Sequence, residues 1–367
     1  MWTLIACLDS AIPVVVAPEE HVATVVSQSY HIDKKYMSMR GPSSVDSVEL
    51  FPTPVPELLW ITGYKTTVVD AETQSAMSQE FMCHANLDFD TTEYAEIFPT
   101  APPLSGRVFT LSQGQQDIRF PAGMGIPVTS DTAIQLVTQV LNLNLETPDL
   151  NVRHVVEVRF VRDVETTTSM LPLFQAAAEG FKAIDAAKYY GVKADDVDPD
   201  AHGLGCSVGS PAMAGDFDVD EHGQRFSAHW EVPPGRETNT TNVTRFMSLP
   251  YDTTAHYIAV HLHPWAESLE LIDRTTGLSL YKAMVTPAEG RIGIEHVEHF
   301  ESVEGLVLYK DHEYELVSVY DNKGTEMSDS MAVFYLYLKD QHFVKPNLDR
   351  PLRPRPAASA ATALGGR

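Results

Sequence analysis

Apolar and polar positions alternate with period two through most of this chain. That is the spacing of half-buried β-strands, whose successive side chains face opposite ways. The pattern predicts strands over 108–111, 133–143, 152–161, 226–232, 256–263, 268–272, 314–320 and 331–338, separated by Gly, Pro, Asp or Asn. Short alternating segments with such punctuation predict an all-β chain of jelly-roll-like antiparallel sandwiches. Residues 220–224, Asp-Glu-His-Gly-Gln, read as the turn of a hairpin. One stretch breaks the alternation. Residues 171–190 are rich in Ala, Glu, Lys and Phe and predict a short helix, followed by an acidic loop at 195–200. The tail, 346–367, is rich in Pro, Arg and Ala without apolar periodicity and predicts disorder.

At 367 residues there is room for two domains of ordinary size. The predicted division is an N-terminal β-sandwich over 24–168 and a C-terminal β-sandwich over 169–345, with the helical insertion near their junction. Charge narrows the partners. With 26 basic against 50 acidic residues the net charge is −24, which repels nucleic-acid phosphate and anionic membrane surfaces and favours cations. No apolar run reaches the roughly eighteen residues of a membrane span. The first 17 residues are apolar, but they lack a basic leading segment and Asp9 interrupts them, so they read as a poor signal peptide. Three cysteines make no disulfide framework; Cys83 and Cys206 are the one pair within the folded body, and their pairing stays open.

The chemistry concentrates in His261-Leu262-His263. On a strand, His261 and His263 point from one face. Met331 opens the strand predicted over 331–338. Two imidazoles and a thioether form a soft, neutral donor set that favours copper, Cu(I) above all. Cys83-His84 is a second candidate metal site, but adjacent strand residues reach one ion only at a bulge or a strand end. Asp216-x-Asp218-x-Asp220 lacks the Gly and Glu of a calcium loop and reads as a polar hairpin. His202 and Cys206 stand four apart in a Gly-rich loop, a spacing without specificity. His154, His256, His296 and His299 read as hydrogen-bonded structure. Asn239 and Asn242 head glycosylation sequons. No nucleophile elbow, phosphate-binding loop or dinucleotide fingerprint is present.

Several segments, in order, resemble the copper type II, ascorbate-dependent monooxygenases, the family of peptidylglycine α-hydroxylating monooxygenase and dopamine β-monooxygenase. Tyr36-Met37-Ser38-Met39-Arg40-Gly41-Pro42 resembles an early strand of that family's first domain. Glu80 to Asn86 falls where the family has a His-His pair, and Phe120-Pro121-Ala122-Gly123 on its Pro-Lys-Gly turn, with Ala122 in place of Lys. Pro233-Pro234-Gly235 is similar to a turn of the second domain. His261-Leu262-His263 falls on the family's His-x-His and Asp329-Ser330-Met331 on its methionine ligand. The resemblance spans about residues 30 to 345.

It implies two sandwich domains side by side, each with one copper, facing each other across a solvent-filled gap. It implies that the second-domain copper, on His261, His263 and Met331, activates O2 beside the substrate, that the first supplies an electron, and that ascorbate is the reductant. Carried over residue by residue, the second-domain set is complete. The first-domain pair reads Cys83-His84, and its third histidine falls near Leu141. Cys83 and His84, with His154 as a further donor, are what remains there. In the substrate pocket the family's Arg is Ala259 and its Asn is Val333, while a Tyr is kept as Tyr335. These changes point away from a peptidylglycine substrate. The function so implied is a copper monooxygenase hydroxylating a C–H bond of a small molecule, working outside the cytosol, extracellular or periplasmic. The alternative is a non-catalytic copper-binding protein for storage, delivery or sensing.

Overall fold

A computed structural model describes residues 19–183, 217–219 and 225–354. Its backbone is a long sheet with the strand order His21–Val26, Leu150–Arg162, Leu58–Asp70, Met124–Thr129, Leu171–Glu179, Ala332–Lys339, Thr253–Leu262 and Phe300–Leu308. A four-stranded sheet, ordered Ser43–Val48, Ile134–Val140, Met82–Phe89 and Arg107–Leu111, covers one face and closes the first core. A five-stranded sheet, ordered Gly235–Asn242, Tyr314–Asn322, Ala266–Asp273, Leu278–Pro287 and Ile294–Val297, closes the second core against the other face. The all-β sandwich class holds.

The long sheet is a wall shared by both cores, and side-chain parity shows how. Along Ala332–Lys339, Val333, Tyr335 and Tyr337 enter the first core while Ala332, Phe334, Leu336 and Leu338 enter the second. Along Thr253–Leu262, Tyr257 and Ala259 go to the first core and Ile258, Val260 and Leu262 to the second. Burying each large side chain contributes roughly 1.5–3 kcal/mol. These two strands therefore anchor both halves.

The predicted helix is the main correction. Leu171–Glu179 is a strand inside the long sheet. It pairs antiparallel with Ala332–Lys339 and parallel with Met124–Thr129, the parallel contact being Leu171 with Met124 and Pro172 with Gly125. Leu173 and Ala177 sit in the first core, Phe174 and Ala178 in the second. A strand buried on both faces loses its alternation and reads as continuous apolar sequence, which here resembled an Ala-rich helix. Residues 184–190 and the acidic loop at 195–200 lie outside the described residues. The described helices are short and lie elsewhere: Thr91–Ile97, capped where the Asp90 carboxylate accepts from the Glu93 amide, and the single turn Thr244–Met247.

Smaller differences follow from pairing. The 226–232 strand divides into Arg225–Ser227 and Trp230–Val232, with Ala228 and His229 in a bend between them. Phe217–Val219 pairs antiparallel with Arg225–Ser227, and the turn predicted at 220–224 lies outside the described residues. Met331 lies just outside its strand, between Ser328–Ser330 and Ala332–Lys339. Among the described residues no helix is long and apolar enough to cross a membrane.

Candidate metal centre

His261 is the last residue but one of the strand Thr253–Leu262, on the side that carries Tyr257 and Ala259 into the first core. His261 pairs with Val333 and Leu262 with Ala332, the last rungs of the ladder, and His263 and Met331 lie just beyond its end. Tyr335 pairs with Ala259, two rungs further along, and is buried. The imidazoles of His261 and His263 stand at right angles with ring centroids 5.3 Å apart. Met331 is wholly buried, and its backbone carbonyl accepts from the Tyr320 hydroxyl at 2.6 Å.

Each imidazole is held through Nδ1. His261 Nδ1 and the Ser112 hydroxyl are hydrogen-bonded at 3.0 Å, and His263 Nδ1 pairs with the Asp329 carboxylate at 2.8 Å. Asp329 is placed by the two-stranded ladder in which it faces Glu231. Burial and the neighbouring His263 hold the His261 pKa well below its ordinary value, so this imidazole is neutral. Burial acts on His263 in the same direction, but the Asp329 carboxylate outweighs it and carries the His263 pKa above its ordinary value. An imidazole fixed through one nitrogen by a hydroxyl or carboxylate keeps the other for a metal. The donor types therefore fit copper: two neighbouring imidazoles, His261 with its Nε2 remaining and His263 with Nε2 on the Ser38 hydroxyl, and the thioether of Met331 buried near the end of the same ladder. Among the described residues no three His, Cys, Asp or Glu side chains close on one point.

The Cys83-His84 pair sits where its geometry required. Met82 pairs with Val140 and His84 with Gln139, which leaves Cys83 as the extra residue of a β-bulge. Cys83 Sγ lies 3.6 Å from Ser38 Oγ, and that hydroxyl is 3.4 Å from His263 Nε2. Ser38 is held over the site because the loop after it packs hard on its neighbour: a Cβ on Gly41 would stand 2.0 Å from the Val140 carbonyl oxygen. Ser38, Cys83, Ser112, Leu141, His261, His263 and Asp329 line one recess of about 10 Å³, room for about one water. His84 is buried, within electrostatic reach of His154 and His261.

The lone histidines divide. His256 is hydrogen-bonded to Thr254 Oγ1 at 2.8 Å and to the Ser302 carbonyl at 3.1 Å, and His299 stacks on Tyr257. His154 departs from its reading as hydrogen-bonded structure: both ring nitrogens are buried without a hydrogen-bond partner, beside Tyr30. Burial, then His84, pushes its pKa down to about 3. Cys206 and His202 lie outside the described residues, as do Asp216 and Asp220.

Sequence reasoning missed Ser38, Ser112 and His229, whose ring centroid is 5.7 Å from that of His263. Ser112 carried a usable signal, the Ser-Gln-Gly-Gln turn directly after a strand. Gly114 in that turn has φ 85°, and the turn reaches both halves. Gln115 Oε1 accepts from the Val260 amide at 2.8 Å, and the Gly114 carbonyl accepts from the Val297 amide at 3.0 Å. Ser38 and His229 carried no such signal.

No protein-family model matches the chain, and no curated protein matches it. Among solved structures it is similar to the infectious bursal disease virus VP2 subviral particle, at 10% identity over 96% of this chain and 81% of that one, with a TM-score of 0.17. It is also similar to infectious bursal disease virus Gt strain, at 9% identity over 89% and 73% of the two chains and the same TM-score of 0.17. Superposition this poor carries no argument about fold or function.

Proposed function

We propose that this protein is a copper-dependent oxidoreductase that hydroxylates a C–H bond of a small molecule with O2, using ascorbate or another small reductant. The observation that supports the reading is the pair of neighbouring imidazoles, His261 and His263, with ring centroids 5.3 Å apart and each fixed through Nδ1, by Ser112 and by Asp329, with Met331 buried near the end of the same ladder. Bound copper would supply one-electron chemistry with O2. The chain's own part is to present a neutral His261, a His263 imidazole paired with Asp329 and a weak thioether, which favours the reduced ion, and to exclude bulk water by burial. Ala259 and Val333 are wholly buried and offer no charge or amide to a substrate, in keeping with a substrate other than a glycine-extended peptide. Work outside the reducing cytosol, extracellular or periplasmic, belongs to this proposal.

A second reading, copper binding without turnover, is favoured by the small size of the recess, which leaves little room for a substrate. One protocol separates the two. The purified protein is loaded anaerobically with Cu(I), counted by elemental analysis and probed by X-ray absorption. About one copper per chain is expected, with nitrogen and sulfur scatterers, and Met331→Ala should remove a sulfur scatterer. Protein that stays copper-free, or a sulfur shell unchanged in Met331→Ala, overturns both readings. Oxygen uptake with excess ascorbate and a C–H donor then supports the oxidoreductase; tight binding without uptake supports storage, delivery or sensing.

A further inference from the structure

Cys83, from the first of the two sites that the resemblance sets apart, lines one recess together with His261 and His263 from the second. Cys83, the extra residue of its bulge, is turned toward Ser38, and Ser38 toward His263 Nε2. The Cys83 sulfur and that nitrogen are therefore no more than 7.0 Å apart, the length of the 3.6 Å and 3.4 Å steps through the hydroxyl. A thiolate and an imidazole on one ion stand about 3.5 Å apart, given metal–ligand bonds of about 2.3 and 2.0 Å. The Ser38 hydroxyl occupies the path between them, and turning it aside opens that path. Leu141, where the family's third histidine falls, adds an apolar wall and no donor.

Two imidazoles, a thiolate and a thioether are the donor set of a copper electron-transfer centre, with the thioether weak and axial. Resting on the copper reading above, we propose that, as Ser38 turns aside on metal binding, Cys83 closes onto the same ion as His261 and His263, so that the chain holds one thiolate-bound copper in place of two separated ones. Binding forms a metal–Sγ bond and releases the thiol proton to solvent, with no change in the oxidation state of the metal. His84 takes no part in this set.

The probes are Cu(II) and Co(II), the second because it does not oxidise a thiol, each titrated into the full-length purified protein and followed by visible absorption and metal count. Wild type is expected to bind one ion per chain with an intense thiolate-to-metal charge-transfer band. The band should persist in Cys7→Ser/Cys206→Ser and in His84→Ala, and be lost in Cys83→Ser while the bound ion remains. Circular dichroism checks that Cys83→Ser is folded. If it is not, X-ray absorption of the wild-type Co(II) form decides: a short metal–sulfur distance of about 2.3 Å supports the proposal and its absence overturns it. One bound ion without the band, or a band that survives Cys83→Ser, overturns the thiolate ligand and leaves the copper reading standing. A wild-type protein that binds neither ion overturns both.

Discussion

At the residue scale the informative pairing is His263 with Asp329. A carboxylate on the far nitrogen orients the ring and raises its basicity toward a metal, and losing such a partner typically costs 10–100-fold in affinity. Asp329→Asn keeps the shape and removes the charge. It is expected to weaken Cu(I) binding by about 10–100-fold, read by competition with a Cu(I) chelator, while the thermal midpoint of the apo protein moves little. An unchanged affinity would separate Asp329 from the metal centre. The shared face of His261 and His263 was legible because period-two geometry is local: a strand assignment alone decides which residues share a face. Ser38 was not legible. It acts through contacts with Cys83, 45 positions away, and His263, 225 positions away, and no local pattern encodes a contact at such separation.

At the element scale, the Ser112–Gln115 turn and the strand Leu171–Glu179 decide most. The turn places Ser112 on His261 and ties the first half of the chain to Val260 and Val297. Gly114 makes it possible: φ is 85°, and an added Cβ would stand 2.5 Å from Ile294 Cγ2. Left-handed backbone costs a residue with a side chain about 1–3 kcal/mol, before any clash. Gly114→Ala is therefore expected to destabilise the fold by at least about 2 kcal/mol, read by denaturant unfolding. A change below about 0.5 kcal/mol would mean the turn is not strained by a side chain. The strand Leu171–Glu179 shows why a helix was expected: its Ala-rich composition favours a helix, but two-sided burial between neighbouring strands overrides propensity.

At the scale of the whole molecule, the shared sheet predicts cooperativity. Trp60 is buried in the first core and Trp230 in the second, while Ala332–Lys339 and Thr253–Leu262 serve both. Unfolding followed by fluorescence from single-tryptophan variants retaining Trp60 or Trp230 is expected to give coincident midpoints; transitions that separate would show two independent units. A second prediction concerns acid. Arg350, near the end of the described chain, pairs with Asp131 at 2.6 Å, and the Arg353 amide also donates to Asp131. Burial raises the Asp131 pKa, but these donors outweigh it and bring it down to about 2 from 3.8. The folded state thus holds this carboxylate charged where the unfolded chain would protonate it. Its stabilisation is present above about pH 4 and lost as pH falls toward 2. Because the Arg350 side chain is 21% exposed, the contribution is set at about 1–2 kcal/mol rather than the full value of the shift. Asp131→Asn should remove it at pH 7 and flatten the loss of stability between pH 4 and 2, read by urea titrations at each pH.

What the chain determined by itself is what period-two alternation and turn residues can carry: an all-β sandwich architecture, most strand positions, and the shared face of His261 and His263. What only the tertiary structure decided is which strands pair, that one sheet serves two cores, that a bulge places Cys83 on Ser38, and that Ser112 and Asp329 hold the imidazoles. The physical reason is that side-chain direction along a strand is set by neighbouring residues, whereas register, bulges and two-sided burial are set by partners distant in sequence.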